Sequence, residues 1–265
     1  MALFIDQPVS EVSDLTGYEA NLPEVSAAEG IHLDTKLRLA HTEVTAQLEA
    51  ATRRPGNIYL ANGSAWQSSG GDGHTARVDL SQVVVTPPLK LLHTFQTLSL
   101  IYRDAYNRKL NDKYLPKWRE YKELAKWAWD LLLQTGVGIT VAPVQRPVQP
   151  QLDWVSSSLD LTVLFVRMTW IGIQSAEGAG SIEQAISIPT GNALRVTPPT
   201  APSGLSGWNV YVAETSGKVT RQNAAPLEVD TAWVMPSTGI QSGEPLGMGQ
   251  EPDFFKTVPR FLQRG

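Results

Sequence analysis

The chain contains no cysteine, an absence that excludes both a disulfide framework and every thiolate metal site among its 265 residues. It also lacks a long hydrophobic run, because the longest ones, such as residues 161–166, are far shorter than the roughly 20 residues of a membrane-spanning helix. The opening residues, MALFIDQPVS, lack a basic segment followed by an apolar one and so do not match a secretory signal. We therefore expect a soluble protein made in the cytoplasm.

Motifs of catalysis and cofactor binding are also missing. The sequence contains no P-loop, no H-E-x-x-H, no G-x-S-x-G and no Rossmann glycine fingerprint. The Gly-rich run GSAWQSSGGDG does not lead from a strand into a helix, so it is a poor phosphate-binding loop. His74 beside Asp72 matches no established metal-ligand spacing. We therefore predict no cofactor, no metal site and no enzymatic activity.

The histidines and carboxylates leave two further expectations. The four histidines fall on different predicted elements, and we expect His32, near a helix start, and His41, on a polar helix face, to be solvated. A glycan hydrolase can work with two carboxylates that no motif reveals, so this class of enzyme stays open as an alternative.

The charge of the chain is unevenly distributed. The net charge is −4 and the isoelectric point is about 5.6, which argues against nucleic-acid binding by the protein as a whole. Residues 103–126 carry eight basic and four acidic side chains, a local charge of +4, so the remainder of the chain carries −8. Two interpretations are open: a solvated helix face with local ion pairs, or a positive surface that contacts an acidic neighbour.

Helical periodicity governs residues 1–142, which we predict to form a helical bundle. A short helical entry spans residues 9–29, and apolar side chains at helical spacing predict a long helix over residues 33–54. Two further amphipathic segments lie within residues 89–133, with Trp and Tyr stripes that we interpret as core rather than as base-stacking platforms. Residues 56–88 carry two strand-like runs around a Gly-Ser tip, which predicts a protruding loop or hairpin.

The second half changes to short apolar runs separated by Gly, Pro and Asn. The Pro-rich residues 143–152 predict a semi-rigid linker. The regular strand candidates that follow predict an antiparallel β-sandwich over residues 153–247, and with it a multidomain α+β protein. Its core is expected to form around Trp170, Val210, Val212 and Trp233. Residues 248–265 are too few to form a core of their own, so we predict an extended tail.

Two stretches resemble parts of known virion proteins. The run GWNVYVAETSGKVTRQNAAPLEVDTAWVMPSTGIQSGEPLG, which begins at Gly207, resembles the immunoglobulin-like or fibronectin-like modules of tailed-bacteriophage structural proteins. The first half contains the helix AAEGIHLDTKLRLAHTEVTAQLEAA, a long loop, and then LLHTFQTLSLIYRDAYNRKLNDKYLPKWREYKELAKWAWDLLL. This order resembles head-to-tail connector proteins, the adaptors that form a ring beneath the portal.

The resemblance implies a structural virion protein of the neck, made in the host cytoplasm. Its ring, a dodecamer to match the portal, would join the DNA-filled capsid to the tail and line the DNA exit channel. The implied partners are the portal protein, tail or nozzle proteins and further copies of the chain. Viral DNA would pass through the lumen without sequence-specific binding, and the resemblance implies neither a cofactor nor a membrane.

The C-terminal segment supplies candidate contact residues. Its spaced aromatic side chains suit a peptide that docks in a groove of another subunit, and the resemblance implies that this subunit is the portal. The predicted docking residues are Phe254, Phe255, Arg260, Phe261, Leu262 and Arg264. The alternative is that the tail packs back on its own sandwich. A second predicted contact is the loop tip, formed by Ser68, Gly70, Asp72 and Gly73.

A second function from another class stays open. The protein would then be a sandwich-bearing collar, decoration or tail protein that binds fibres or the host surface. The two functions differ in what the sandwich does, because a host-binding protein loses adsorption without its sandwich, whereas an adaptor still forms its ring.

Overall fold

The computed structural model describes residues 1–52, 58–60, 79–109, 112–160 and 162–257. The chain divides into two compact units. We call one the helical unit, which comprises Phe4–Val141 and the chain from Pro252, and the other the β unit, which comprises Met1–Leu3 and Ala142–Glu251. Helices dominate the first half and antiparallel sheets the second, so the predicted α+β class is confirmed.

Five α-helices are present among the described residues of the helical unit. They are α1 (Val12–Tyr18), α2 (Leu22–Glu29), α3 (Leu33–Thr52), α4 (Pro87–Lys109) and α5 (Leu115–Thr135). Two glycines end helices where the sequence predicts a stop: Gly30 adopts φ 59° after α2, and Gly136 adopts φ 94° after α5. Glycine tolerates these values because it has no Cβ.

The core of the helical unit forms where the apolar stripes of α3, α4 and α5 meet. Val44 and Leu48 of α3, Leu98 of α4 and Leu132 of α5 are all fully buried. The predicted core role of the tyrosine stripe is confirmed: Tyr102 and Tyr121 are each 3% exposed, and their rings stack at a centroid distance of 5.6 Å.

The described strands pair in an antiparallel manner. They are β1 (Ile58–Leu60), β2 (Val137–Ile139), β3 (Gln151–Ser156), β4 (Thr162–Gly172), β5 (Gln184–Ile188), β6 (Asn192–Thr197), β7 (Leu205–Ala213), β8 (Thr220–Arg221), β9 (Trp233–Val234) and β10 (Phe254–Lys256). The β unit holds one sheet in the order β3-β6-β9 and another in the order β5-β4-β7-β8. The third sheet, β1-β10-β2, belongs to the helical unit.

Both sheets of the β unit contribute to one hydrophobic core. Leu194 and Trp233 enter it from the first sheet, and Trp170, Val210 and Val212 enter it from the second. All five side chains are buried, so the predicted core residues Trp170, Val210, Val212 and Trp233 are confirmed.

The segment predicted as a linker, residues 143–152, is partly built into the β unit. Val144 is buried in the core of that unit, and Pro147 and Pro150 are also buried. Strand β3 begins at Gln151, inside the predicted linker. Buried side chains at every third position hold this segment against the unit, which composition alone does not indicate.

The C-terminal segment differs from the predicted tail over residues 248–265. Strand β10 is the central strand of its sheet, where Phe255 lies opposite both Tyr59 of β1 and Gly138 of β2. Residues 248–251 of the predicted tail belong to the β unit, where Gln250 is buried, whereas the described chain from Pro252 belongs to the helical unit and pairs there as a strand instead of forming a free tail. Residues 258–265 lie outside the described residues.

The segment predicted as a loop or hairpin, residues 56–88, also differs at its described ends. Strand β1 pairs with β10, and Val83 forms a bridge to Ile139 of β2. Helix α4 already begins at Pro87. The two ends of the predicted hairpin thus pair with other parts of the sheet, whereas residues 61–78, with the loop tip, lie outside the described residues.

Candidate binding sites

Of the predicted docking residues, the structure describes Phe254 and Phe255. Both are half-buried in β10, and Phe254 packs against the core of the helical unit. Arg260, Phe261, Leu262 and Arg264 lie outside the described residues, as do the loop-tip residues Ser68, Gly70, Asp72 and Gly73. Whether these side chains contact a portal stays a prediction.

Two polar side chains fasten β10 in place. The Asp253 carboxylate accepts hydrogen bonds from the Val141 N–H at 2.7 Å and the Thr140 hydroxyl at 3.0 Å. The Lys256 ammonium, 3% exposed, donates to the Thr52 carbonyl at the end of α3 at 2.7 Å. Burial lowers the pKa of Lys256. These contacts show that the end of the chain is an integral part of the helical unit.

A cavity with a volume of about 600 Å³ lies between the three long helices, and we call it the α3/α4/α5 groove. Helix α3 contributes Gln47 and α4 contributes Ser99 among others. Side chains of α5 line the opposite wall at spacings of three and four, which places them on one face of that helix. Those that carry charge or an aromatic ring are Trp118, Lys122, Lys126 and Trp129.

Three cations of the groove distinguish it from the rest of the helical unit. Arg103, Lys122 and Lys126 line the groove, and within the described part of the chain none of them forms an ion pair with a carboxylate. Other lysines of the unit are paired, as in Lys90 with Asp14 at 2.7 Å. The groove therefore gathers three cations that have no carboxylate within ion-pair distance among the described residues.

Within the positive segment at residues 103–126, the structure confirms local ion pairs for one lysine, and a contact with an acidic neighbour stays a prediction. Lys117 forms local ion pairs, with Glu19 at 2.6 Å and Glu120 at 3.3 Å. The groove cations form no such ion pair among the described residues. The groove also contains a buried polar atom without a partner in the structure, the Gln47 Oε1, which a donor from a bound group can satisfy.

A second, smaller pocket of about 300 Å³ lies beside two histidines. His41 of α3 stacks on Phe4 at a centroid distance of 4.4 Å, and its ring lies 6.0 Å from that of His93 on α4. The expectation that His41 is solvated is therefore wrong. The residues before α1 fold over α3 and cover it, a long-range contact that helix periodicity does not reveal.

His93 is buried and held by one close polar contact. Its side chain is 2% exposed, and its Nδ1 lies 2.5 Å from the Ser10 hydroxyl. Burial lowers the pKa of His93 to about 4, and the neighbouring His41 adds to this shift. Among the described residues, no group of three or more His, Cys, Asp or Glu side chains is arranged to hold a metal ion. We interpret the two histidines beside the pocket as a structural pair, and their lowered pKa values keep both rings neutral at pH 7.

The burial of His93 predicts an acid-sensitive stability. Because its folded-state pKa lies below the usual value of 6.5, the unfolded chain binds this proton more tightly, so the contribution is complete above pH 6.5 and is lost as the pH falls towards 4. We expect a loss on the order of 3 kcal/mol in the free energy of unfolding. Urea titrations between pH 7 and pH 4 measure it.

The matched variants are His93→Asn and His32→Asn, the second at an exposed position. The first is expected to remove the contribution of His93 and to leave that of Glu19 and Glu183, whose pKa values are also lowered in the fold, and the second is expected to retain all three. Equal pH profiles for both variants would contradict the assignment to His93.

The β unit contains a buried polar network rather than an open site. The Glu177 carboxylate accepts hydrogen bonds from the Tyr211 hydroxyl at 2.6 Å and the Asn209 amide at 3.1 Å. Burial and this carboxylate raise the pKa of Tyr211. Asn223 continues the network by donating to Asn209 at 2.8 Å. With its donors and acceptors satisfied, the network stabilises the outer face of the second sheet.

Comparison of the chain with protein-family models, curated proteins and solved structures gave no match. In the described part of the chain, no helix combines the length and the hydropathy that crossing a membrane requires.

Proposed function

We propose that the protein is a head-to-tail adaptor of a tailed bacteriophage, a structural virion protein without catalytic activity. It forms a dodecameric ring under the portal at the neck, joins the DNA-filled capsid to the tail, and lines the channel through which DNA leaves. Its partners are the portal and the tail or nozzle proteins. It is made in the host cytoplasm.

The observation that carries this proposal is the α3/α4/α5 groove. Arg103, Lys122 and Lys126 lie there without a carboxylate partner among the described residues, beside the half-buried rings of Trp118 and Trp129. Tryptophan and arginine are enriched in protein interfaces, so Arg103 with Trp118 and Trp129 supports a surface that binds another protein. An adaptor needs such surfaces, since it contacts several partners at once.

The division of the chain into two units also supports an assembly role. In the order of the chain, residues 142–251 of the β unit are inserted between strands β2 and β10 of the helical unit. The two ends of this insertion are close together, because the Val141 N–H donates to the Asp253 carboxylate. We propose that the helical unit is a bundle of the connector type and that the two sheets of the β unit form an immunoglobulin-like sandwich. Their shared core, built around Trp170, supports this fold.

The proposal assigns separate roles within the C-terminal segment. Phe254 and Phe255 anchor it through β10. The portal contact is assigned to the residues that come after β10 in the sequence, namely Arg260, Phe261, Leu262 and Arg264. The loop tip at Ser68, Gly70, Asp72 and Gly73 supplies a second contact.

The test is the mass of the protein alone and after mixing with the portal of the same virus. We expect a smaller species alone and a ring of about a dozen copies on the portal, the copy number that the resemblance to connector proteins implies. A protein that never associates with the portal would contradict the proposal.

The alternative function, a collar, decoration or tail protein that binds fibres or the host surface, has one observation in its favour. The β unit exposes single large apolar side chains that a partner surface can cover, among them Trp154 at 47% and Ile182 at 61%. Because Val141 and Asp253 are in contact, a short Gly-Ser linker can replace residues 142–251. Particles that assemble with this variant and fail to adsorb would favour the alternative.

A further inference from the structure

We propose that the α3/α4/α5 groove is the interface between neighbouring copies of this chain and that it receives a carboxylate-bearing surface of the next copy. The inference rests on the proposed ring and names the surface by which the ring closes. It depends on three features of the groove: its uncompensated charge, its aromatic wall, and the charge of the rest of the chain.

The charge of the groove favours an anionic partner. Lys122 and Lys126 are exposed, one turn apart on α5, and Arg103 of α4 is half-buried in the same concavity. None of the three has a carboxylate partner among the described residues, whereas Lys36 pairs with Asp104 and Lys117 with Glu19. Three like charges in one concavity repel each other, and a bound carboxylate relieves this repulsion.

The wall of the groove requires an apolar contact as well. Trp118 and Trp129 are half-buried, and Leu92 of α4 lies buried between the helices. A volume of about 600 Å³ is far larger than a single carboxylate needs. The groove therefore suits a protein surface that presents an apolar side chain next to carboxylates, the common arrangement of an interface core and its rim.

The chain itself carries the complementary charge. Outside residues 103–126 its net charge is −8, against +4 within that segment. On α2, Glu24 is exposed with no ion pair to a described residue, and Tyr18 at the end of α1 is 50% exposed. A groove on one copy that binds a different surface on the next is a heterologous contact, and repeated contacts of this kind form a ring when the rotation between copies closes.

Nucleic acid is the other macromolecule that cations and tryptophans can bind, since bases stack on aromatic rings. The charge of the chain favours protein, because the −8 outside the segment repels a phosphate backbone over most of the molecule. A second copy supplies its carboxylates at fixed positions. We therefore argue for the second copy and treat nucleic acid as an outcome of the test.

A photo-crosslinker placed in the groove identifies the occupant. Lys126 is replaced by benzoylphenylalanine in the full chain, the protein is mixed with the portal of the same virus, and the irradiated product is identified by mass spectrometry. The expected product is a dimer of this chain, joined from residue 126 to a peptide outside residues 103–126. A crosslink to the portal alone, or no crosslink within an assembled ring, overturns the inference.

Charge reversal measures the strength of the contact. The double variant Lys122→Glu with Lys126→Glu is expected to weaken association between copies about tenfold or more. The matched control, Arg119→Glu with Lys218→Glu, makes the same change in net charge at exposed positions outside the groove and is expected to retain wild-type association. Equal weakening of association by both variants overturns the inference. The inference is also overturned if a short single-stranded oligonucleotide binds the wild type and fails to bind the groove variant.

The inference and the proposed function fail in different ways. If the wild type neither assembles on the portal nor associates with further copies of itself, the proposed adaptor function is wrong. If a ring forms and the groove variant forms it equally well, the adaptor function stands and the groove is not its interface.

Discussion

Removal of residues 252–265 is expected to destabilise the helical unit by about 5 kcal/mol or more. The deletion removes β10, the central strand, and with it backbone hydrogen bonds to both β1 and β2 that contribute about 1 kcal/mol each. It also removes the packing of Phe254 and the bond from Lys256 to Thr52. Because a domain is stable by only about 5–15 kcal/mol, we expect a partly unfolded helical unit, measured by urea titration with circular dichroism.

The control is the removal of residues 258–265, which leaves β10 intact. Its free energy of unfolding is expected to stay close to that of the whole chain. It also provides the clean test of portal docking by Arg260, Phe261, Leu262 and Arg264, since any loss of portal binding then occurs in a folded protein. Similar stability of the two truncated chains would contradict the structural role of β10.

Replacement of Trp208 by alanine is expected to cost about 3–5 kcal/mol in the stability of the β unit. The side chain is 0% exposed and lies opposite Trp170 in the β4–β7 ladder. Its indole N–H donates to the carbonyl oxygens of Glu228 at 3.1 Å and Thr231 at 3.2 Å. The variant loses a large buried surface and leaves both carbonyls without that donor.

Hydrogen exchange of peptides from residues 192–213 measures this effect separately from the helical unit. The matched control is Trp154→Ala, which removes the same side chain type from β3, where it is 47% exposed. We expect the exchange of the Trp154→Ala variant to stay near that of the wild type. An equal rise in exchange for both variants would show that Trp208 is not a centre of the core.

The elements whose burial follows a local periodic pattern could be predicted from the sequence. The periodicity that predicts a helix over residues 33–54 corresponds to α3, because its buried side chains, such as Val44 and Leu48, recur every four residues. Strand β4 likewise carries its alternation in buried Leu164, Val166 and Met168. Because buried positions recur at a fixed spacing, apolar residues recur at the same spacing in the sequence. The α+β organisation was therefore predictable.

The three-stranded sheet of the helical unit was not predictable in the same way. Its strands have three residues each, too few for a measurable alternation, and they come from distant parts of the chain. Lys256 and Thr52, which are bonded there, lie 204 residues apart in the sequence. Such a sheet depends on tertiary contacts, and the aromatic residues of β10 therefore resembled a free tail.

The groove was predictable only in part. The spacing of Lys122 and Lys126 places both on one face of a helix, and the positive charge of residues 103–126 was evident from composition. The concavity itself requires α3 and α4 to pack beside α5, and their relative positions are not encoded in any one periodic pattern. Of the two partners of Lys117, local spacing indicates Glu120 but not Glu19, which lies at the end of α1.

The measurement that tests the central claim most directly is an electron cryomicroscopy reconstruction of the protein mixed with its portal. The account predicts a closed ring of the helical unit, coaxial with the portal, in which the α3/α4/α5 groove of each copy is covered by the next. Portal particles without added density, together with binding of the protein to fibres or to the host surface, would contradict it.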